Sequence, residues 1–430
     1  MDNADTIFAL SSGTPPAAIA VVRISGSRAF AAVKALAGTL PPSRRASVRR
    51  LTASSGAILD DALVVIFPGP NNATGEDLAE LHLHGGRAVV RGVEASLEAM
   101  LGLRRAEPGE FTRRAFVNGR IDLNEAEGLA DLLSAETEWQ RRGALQMAGG
   151  AFSKAIEGWR EDLLGLSGTV EALLDFSDED DVSSEENIDI TRRCIDLHDV
   201  IQRHLAVPGA QQLRDGLRVV IAGPPNSGKS TLLNALVAKE AAIVSDIAGT
   251  TRDLIDVPVA FDGIPFILTD TAGLRGETDD VIEGIGIKRA QSAIMEADML
   301  LWLGDEGAGP KHPNSLEIEA KSDDPDHKAK SVRAMKLSAK TTEGLAALLK
   351  WLTATAKTLL PPPDSFAINA RQTTLLSDTA RSLMEAARST DLLVTAEELR
   401  QARLALDALT GRASTEDMLD ALFGQFCIGK

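Results

Sequence analysis

The pattern of apolar and polar positions changes character several times along the chain. In residues 1–118, short β-rich runs at 18–24, 62–67 and 78–84 are separated by turns rich in Gly, Pro and Asn. Runs of this length between turn residues are typical of strands in a mixed fold. The pattern therefore predicts a small N-terminal α+β domain.

A helical pattern follows at residues 124–205, which are rich in Ala, Leu and Glu at helical spacing. An acidic run at 175–186 interrupts it and indicates a solvated loop between helices. Helical spacing returns after three prolines and predicts further helices at 372–389, 396–410 and 414–422. We therefore expect one helical domain, formed by residues 119–212 and 363–430, with the intervening segment inserted into it.

The inserted segment, residues 213–362, alternates apolar strands with helices. Strands are predicted at 217–222, 266–269 and 299–303, and a helix is predicted at 231–238. This alternation is typical of an open, mostly parallel sheet. The predicted fold class is thus multidomain α/β, with an α+β N-terminal domain, an all-α domain and an inserted Ras-like P-loop domain.

Composition narrows the class of protein. A length of 430 residues with 44% hydrophobic content predicts two to four globular domains. No stretch approaches the roughly 20 uncharged apolar residues that span a bilayer, and the acidic N-terminus does not resemble a secretory leader. The two cysteines, Cys194 and Cys427, are too few for a disulfide framework. We therefore expect a cytoplasmic protein with no membrane partner.

The charge balance limits how RNA could bind. With a net charge of -17, no tyrosine and 4% aromatic residues, the chain offers neither a global basic surface nor many stacking platforms. Two local basic clusters, at residues 44–50 and 104–114, are each more typical of a solvated face. If RNA is the target, contact is expected to be local or to come from a partner.

A phosphate-binding motif lies at residues 223–230, whose sequence Gly-Pro-Pro-Asn-Ser-Gly-Lys-Ser fits G-x-x-x-x-G-K-[ST]. In such a loop the backbone N–H groups surround the phosphates, Lys229 reaches the β and γ oxygens, and Ser230 offers its hydroxyl to Mg²⁺. The apolar strand before it and the helix after it give the required context. The predicted contacts with GTP are Asn226, Ser227, Gly228, Lys229, Ser230 and Thr231.

Two more phosphate motifs follow in the order expected of a G domain. Asp270-Thr271-Ala272-Gly273 ends an apolar strand, where Asp270 can hold Mg²⁺ through water and the Gly273 N–H can meet the γ-phosphate. Upstream, residues 249–253 offer hydroxyl groups where a switch loop would close over the nucleotide. The predicted contacts are Ser245, Asp246, Ile247, Ala248, Gly249, Thr250, Thr251, Asp270, Thr271, Ala272 and Gly273.

The guanine motif is incomplete. An [NT]-K-x-D element is best matched by Ala320-Lys321-Ser322-Asp323, which lacks the side-chain amide at its first position. Asp323 can still accept from guanine N1 and N2, and Ser338-Ala339-Lys340 can pack their backbone against the base. We expect GTP to be preferred over ATP, with reduced affinity. The alternative is that residues 321–326 form only a charged loop.

The source of catalytic charge stabilisation is also unusual. Leu274 stands where a Ras-like enzyme has its water-orienting Gln. Asn226 in the P-loop, with carbonyls of residues 245–250, could instead surround a monovalent cation, and Glu283 is a candidate to position water. Arg252 and Arg275 are the alternative cations. The candidate catalytic residues are Lys229, Arg252, Asp253, Glu283 and Cys427.

Longer strings indicate a family. These are residues 5–7, 22–26, 74–77, 84–86, 108–116, 249–253, 285–287 and 426–430, which include Pro-Gly-Glu-Phe-Thr-Arg-Arg-Ala-Phe and the terminal Phe-Cys-Ile-Gly-Lys. On these strings the chain resembles the MnmE (TrmE) family of tRNA modification GTPases over essentially its whole length.

The resemblance implies a homodimer formed through the N-terminal domain, and G domains that meet when GTP and K⁺ are bound. It implies that K⁺ is held by Asn226, Ser245, Ile247 and Thr250, that Mg²⁺ is held by Ser230 and Thr251, and that Glu283 orients the catalytic water. The implied partner is the flavoprotein MnmG (GidA). Together they would add a carboxymethylaminomethyl or aminomethyl group to C5 of wobble uridine 34 in certain tRNAs.

The resemblance further implies that the one-carbon donor is a tetrahydrofolate, in its 5-formyl or methylene form. Arg23, Glu80, Arg120 and the terminal Lys430 fall on the family's folate positions, with Arg120 in place of the usual lysine. Cys427, in the C-terminal motif, is either a nucleophile or a residue that shapes the site, and the structural role is favoured.

Two other functions remain open from the residues. An Era-like ribosome-assembly GTPase would usually carry a compact basic RNA domain, which the acidic sequence does not show. A non-hydrolysing folate-binding scaffold with a degenerate G domain is suggested by Ala320.

Overall fold

The computed structural model describes residues 5–175, 184–207, 210–239, 256–271, 291–325, 327, 329–330, 334–362, 365–413 and 416–429. The chain forms two compact units, Met1–Ala130 with Asp407–Lys430, and Asp131–Leu406. The predicted domain boundaries at 118, 212 and 362 stay a prediction, because a division into two units does not test one into three domains. No helix of the described part is long and apolar enough to cross a membrane.

The first unit is built on a six-stranded sheet in the order β3-β4-β5-β2-β1-β6. Its strands are β1 Thr6–Leu10, β2 Ile19–Ser25, β3 Ser47–Thr52, β4 Ile58–Phe67, β5 Leu78–His84 and β6 Leu103–Arg105. In β2, Ala20, Val22 and Ile24 are buried while Val21 and Arg23 lie on the other face, as period-2 alternation requires. All three predicted strands are confirmed, and β4 starts four residues before its predicted first residue.

Helices α1 Ala29–Ala37 and α2 Arg87–Glu98 supply Val33 and Val93 to the core that covers the inner face of this sheet. Helix α3 Glu110–Val117 comes next, followed by α4 Leu123–Ser134. The core between these helices and the sheet is apolar, and it covers one face of the sheet. The opposite face presents polar residues such as Arg23 and Glu80.

The basic cluster at 104–114 is not the solvated face that its sequence predicts. Arg114 is buried and donates to Asp5, Glu76 and Glu110, and Arg104 donates to Asp5 and Glu110. Burial by itself raises the pKa of Glu110, but the two guanidinium groups outweigh it and hold this pKa below its usual range. The prediction was wrong because ion-pair partners far apart in sequence leave no local signal.

The end of the chain folds onto the first unit. Helix α13 Glu416–Phe423 packs on α3, and Phe116, Leu123, Phe423 and Phe426 share one apolar cluster. Gly109 makes this approach possible, since its φ is +67° and a Cβ there would lie 2.2 Å from the Phe423 carbonyl oxygen.

The second unit contains the long helices. They are α5 Glu138–Ala148, α6 Ala151–Asp175, α7 Ser184–Leu205, α11 Ala370–Arg388 and α12 Leu392–Thr410. Helix α5 begins with a capping box of Thr137 and Gln140, and α11 begins with one of Asn369 and Gln372. The predicted helical stretches are confirmed to within a few residues. Most of the acidic run at 175–186 falls outside the described residues.

The second unit also holds a sheet in the order β12-β11-β10-β7-β9-β8. Its elements are α8 Ala210–Asp215, β7 Leu217–Ala222, α9 Lys229–Lys239, β8 Asp256–Phe261, β9 Ile264–Asp270, β10 Met299–Trp302, β11 Ser315–Ala320, β12 Met335–Leu337 and α10 Leu345–Leu359. Every neighbouring pair is parallel except β8 with β9. The predicted mostly parallel sheet is thereby confirmed.

The connections that flank β11 are short. Parallel neighbours usually need a crossover helix, yet the described residues of 303–314 and 321–334 contain none. Ile318 faces the core, while Glu319 lies on the opposite face, fully buried. Its carboxylate accepts from the Lys330 backbone N–H at 2.8 Å and lies 3.2 Å from His327 Nε2. A polar loop thus covers this part of the sheet.

Candidate functional site

The phosphate loop joins the end of β7 to the start of α9, as its motif predicts. Asn226 and Gly228 adopt left-handed backbone conformations, with φ of +62° and +99°. Such turns direct successive backbone N–H groups into one concavity, and the positive end of the helix dipole lies behind it. The geometry favours an anion in front of Lys229, the first residue of α9.

Lys229 and Ser230 are placed for phosphate and metal chemistry. Lys229 is 5% exposed, and its ammonium donates to the Pro224 carbonyl oxygen at 2.9 Å. Ser230 Oγ donates to Asp270 Oδ2 at 2.5 Å, so the hydroxyl predicted for Mg²⁺ touches the carboxylate of the next motif. A hydroxyl and a carboxylate beside a phosphate site fit Mg²⁺, which takes few protein oxygens and keeps waters and phosphates.

A cavity of about 260 Å³ lies beside the loop. It is lined by residues of the P-loop, the guanine motif and the last strand-to-loop segment, among them Gly228, Thr231, Lys321, Asp323, Ala339 and Lys340. Lys321 Nζ donates to the Asn226 carbonyl oxygen at 2.7 Å, which ties the guanine motif to the P-loop. The structure therefore brings together three segments that the sequence assigned separately to one nucleotide.

Asp323 is held by Ser338. Ser338 Oγ donates to Asp323 Oδ1 at 2.6 Å, and the same hydroxyl accepts from the Thr341 backbone N–H at 3.1 Å. This hydrogen bond lowers the pKa of Asp323, so the carboxylate stays ionised. Ala320 packs against the sheet core in place of an amide. The Asp323 carboxylate, predicted to recognise guanine, is thus oriented by Ser338.

Part of the predicted nucleotide site is not described. Thr271 follows Asp270 and is held by Ile221, whose carbonyl oxygen accepts from Thr271 N at 3.3 Å and from Thr271 Oγ1 at 3.0 Å. The predicted site residues outside the described part are Ser245, Asp246, Ile247, Ala248, Gly249, Thr250, Thr251, Arg252, Asp253, Ala272, Gly273, Glu283 and Lys430.

A second group of predicted residues meets on the outer face of the first sheet. Arg23 and Glu80 are direct cross-strand neighbours, and Arg23 Nη2 lies 2.9 Å from Glu80 Oε1. The other carboxylate oxygen, Oε2, lies 3.3 Å from His82 Nε2. The one sequence signal for the contact between Glu80 and His82 is their two-residue spacing in β5, which places both side chains on the same face of the strand. Arg120 contacts the loop formed by residues 68–77, because its Nε donates to the Asn72 carbonyl oxygen at 3.2 Å.

The C-terminal segment reaches the same strands. Ile428 forms a β-bridge with Pro108, and a Cβ on Gly429 would lie 2.1 Å from the Leu10 carbonyl oxygen. Leu10 follows Ala9 in β1, and Ala9 pairs with Arg23. Gly429 therefore lies against Leu10, one residue beyond the strand position that pairs with Arg23.

The two cysteines differ in environment. Cys427 is exposed, whereas Cys194 is buried in α7, where desolvation raises the pKa of its thiol to about 11. Cys194 therefore stays protonated and unreactive near neutral pH.

Comparisons with known proteins cover the whole chain. Residues 6–120 match the family described as GTP-binding protein TrmE N-terminus, and residues 123–427 match the MnmE helical domain. Proteins named tRNA modification GTPase MnmE are 59% identical over 429 residues in Erythrobacter litoralis and 56% over 435 in Novosphingobium aromaticivorans. Each alignment covers 99% of this chain and 100% of the relative.

A more distant relative of the same name, from Sinorhizobium medicae, is 44% identical over 445 residues, with both chains fully covered. Among solved structures, the G domain of the T. maritima FeoB iron transporter is 21% identical with a TM-score of 0.24, covering 33% of this chain and 98% of that one. Era in complex with MgGDPNP and a 16S ribosomal RNA fragment is 18% identical with a TM-score of 0.25, covering 49% and 98%.

Proposed function

The chain belongs to the MnmE family of tRNA modification GTPases, and we propose that it hydrolyses GTP to support modification of wobble uridine 34 in certain tRNAs. It is a GTP hydrolase. The observation that carries the proposal is the cavity beside the P-loop. Lys321 hydrogen-bonds to Asn226 of the P-loop, and Ser338 hydrogen-bonds to Asp323. In the proposed division, a G domain at residues 213–362 is inserted between helical segments 119–212 and 363–430, behind an N-terminal domain at 1–118.

Hydrolysis needs positive charge where the γ-phosphoryl group leaves. We assign that charge to Lys229 together with a K⁺ ion held by Asn226, Ser245, Ile247 and Thr250. Asn226 suits this role because Lys321 fixes its carbonyl, so its position beside the phosphates is set before nucleotide binds. Glu283 would orient the attacking water, and Arg252 and Asp253, in the upstream switch loop at 249–253, are the other candidate catalytic residues.

Mg²⁺ is assigned to Ser230 and Thr251, with Asp270 behind Ser230. When bound there, the ion would supply positive charge that neutralises the phosphate oxygens. Within the protein, Asp270 Oδ2 accepts a hydrogen bond from the Ser230 hydroxyl. This bond directs the lone pairs of Ser230 Oγ away from the carboxylate. The described geometry therefore supports a preformed position for this hydroxyl.

We propose that the first unit binds a tetrahydrofolate one-carbon donor through Arg23, Glu80, Arg120 and Lys430. Glu80 is 18% exposed in its side chain, and its two carboxylate oxygens face Arg23 and His82. A planar pair of N–H donors on a pterin could replace these two partners in the two-point manner that carboxylates favour. Arg23, released from Glu80, would then be free to meet the carboxylates of the folate tail.

We also propose that two copies associate through the outer face of this sheet. The strand register places Val48, Leu63 and His82 in one row, and Glu80 and Arg23 in the next row of the same face. Ile19 and Val48 are 60% and 67% exposed there. Large apolar side chains exposed beside a polar site indicate a surface that is covered in an assembly.

The proposed partner in modification is the flavoprotein MnmG, and the proposed product is a carboxymethylaminomethyl or aminomethyl group on C5 of uridine 34. We propose that this reaction takes place in the cytoplasm. Nucleoside analysis of tRNA from a deletion strain tests the role. The proposal predicts wobble uridines without the C5 group, and restoration by the wild-type chain but not by Lys229→Ala. Normal modification in the deletion strain would refute it.

A further inference from the structure

Helix α13 is joined to α3 by a cluster of three charged side chains, which we call the α3–α13 clamp: Arg113, Glu416 and Asp420. Arg113 Nη1 donates to Asp420 Oδ1 at 2.7 Å, and Nη2 donates to Glu416 Oε2. The Arg113 side chain is 17% exposed, although its two partners are largely exposed. One arginine thus bridges two carboxylates from a helix 307 and 303 positions away in sequence.

The two carboxylates would repel each other without this arginine. Glu416 and Asp420 are four residues apart on one face of α13, and like charges at this spacing destabilise a helix. The helix has only eight residues, too few to be stable alone in water. Its position therefore depends on tertiary contacts, and Arg113 supplies the opposite charge that lets both carboxylates lie against α3.

The segment that follows α13 contains the exposed thiol. Phe426 is buried in the apolar cluster, Ile428 bridges Pro108, and Gly429 lies against Leu10. Cys427 lies between these anchors and is itself exposed. Because three residues separate Phe423 from Cys427, a displacement of α13 would carry the segment with it.

We infer that Arg113 is a positioning residue, which neutralises Glu416 and Asp420 and thereby fixes the Cys427 segment against Pro108 and Leu10, one residue from the strand position that pairs with Arg23. Arg113 touches neither Cys427 nor Glu80 in the described contacts and acts through α13. An effect of Arg113 variants on folate binding is also expected, and only this expectation rests on the proposed function.

A nitroxide spin label on Cys427 tests the clamp, since Cys194 is buried and leaves one accessible thiol. Arg113→Glu places a third carboxylate in the clamp, so the label's spectrum is expected to gain a mobile component. The triple variant Arg113→Glu, Glu416→Arg, Asp420→Arg restores opposite charges and is expected to return the immobilised spectrum. An unchanged spectrum in Arg113→Glu, or no recovery in the triple variant, would overturn the inference.

Arg45→Glu is the matched control, because Arg45 is an exposed arginine of the same unit and undergoes the same charge change. It should leave the label immobilised. GTP turnover should be unchanged in all variants, which checks that the chain is folded. A titration with 5-formyltetrahydrofolate separates the two claims: if the wild-type chain binds none, the folate site fails while the label still decides the clamp. If it binds, Arg113→Glu should weaken binding by about fivefold.

Discussion

At the residue scale, the proposed recognition of guanine depends on how the Asp323 carboxylate is held. In Asp323 the hydrogen bond from Ser338 fixes the rotamer and favours the ionised form, which is the form that accepts from guanine N1 and N2. With Ala320 at the first position of the motif, this loop is anchored by Ser338, by the Lys321 tether and by the hydrogen bond from the Ser322 backbone N–H to the Leu337 carbonyl oxygen. Loss of these contacts should therefore lower the affinity for GTP.

Ser338→Ala removes the hydroxyl and should weaken GTP binding by about tenfold, the cost of one hydrogen bond to a charged group. Affinity for ATP, which has no N1–H for the carboxylate, should change little. Calorimetric titration with both nucleotides measures this. Ser322→Ala is the control, because the Ser322 hydroxyl in the same motif is buried without a hydrogen-bond partner. Equal losses in the two variants would contradict the assignment.

Thiol reactivity offers a second residue-scale prediction. At pH 8 one thiol per native chain should react with an aromatic disulfide reagent, because Cys427 is exposed while burial raises the pKa of Cys194 to about 11. Unfolding in guanidinium should release the second thiol, and Cys427→Ser should abolish the native reaction. Two reactive thiols in the native protein would show that Cys194 is accessible.

Sequence was informative for residues whose chemistry lies in a local motif, such as Lys229 and Ser230. It could not identify His82 as a neighbour of Glu80, because strand alternation predicts a shared face but not which polar side chains touch. It also could not show that Ser338 orients Asp323, a contact that depends on the pairing of β11 with β12.

At the scale of elements, local signals determined where helices and strands begin. Capping boxes lie at the starts of α5 and α11. In β2, residues alternate between a buried and a less buried face. The packing of α13 on α3 carries no such signal, because Arg113 and Asp420 are 307 positions apart. The same holds for the helix-free connections around β11, where Glu319 is covered by a loop.

Gly109→Ala tests the close approach of α3 and the end of α13. A Cβ would lie 2.2 Å from the Phe423 carbonyl oxygen, so backbone must move in addition to the cost of a positive φ. We expect a loss of at least about 3 kcal/mol in the free energy of unfolding. Gly119→Ala, with φ of +63° and open space around its Cβ, should cost only about 1 kcal/mol. Calorimetric melting compares them, and equal losses would contradict the described packing.

At the scale of the whole molecule, arginines that could attract nucleic acid are instead engaged in ion pairs within the chain. The chain carries a net charge of -17, and the arginines of the 104–114 cluster are engaged by Asp5, Glu76, Glu94, Glu98, Glu110, Glu416 and Asp420. A long-range field of this sign repels nucleic acid. Recognition of tRNA is therefore expected to depend on local contacts or on the proposed partner MnmG, and catalysis on a cation held within the G domain.

The central claim is that an alkali ion at Asn226 supplies charge stabilisation during GTP hydrolysis. The most direct measurement is the initial rate of GTP turnover in KCl and in NaCl at equal ionic strength. We expect the rate to be at least about tenfold higher in KCl, and we expect this stimulation to be lost in Asn226→Ala. Equal rates in the two salts, or undiminished K⁺ stimulation in Asn226→Ala, would contradict it.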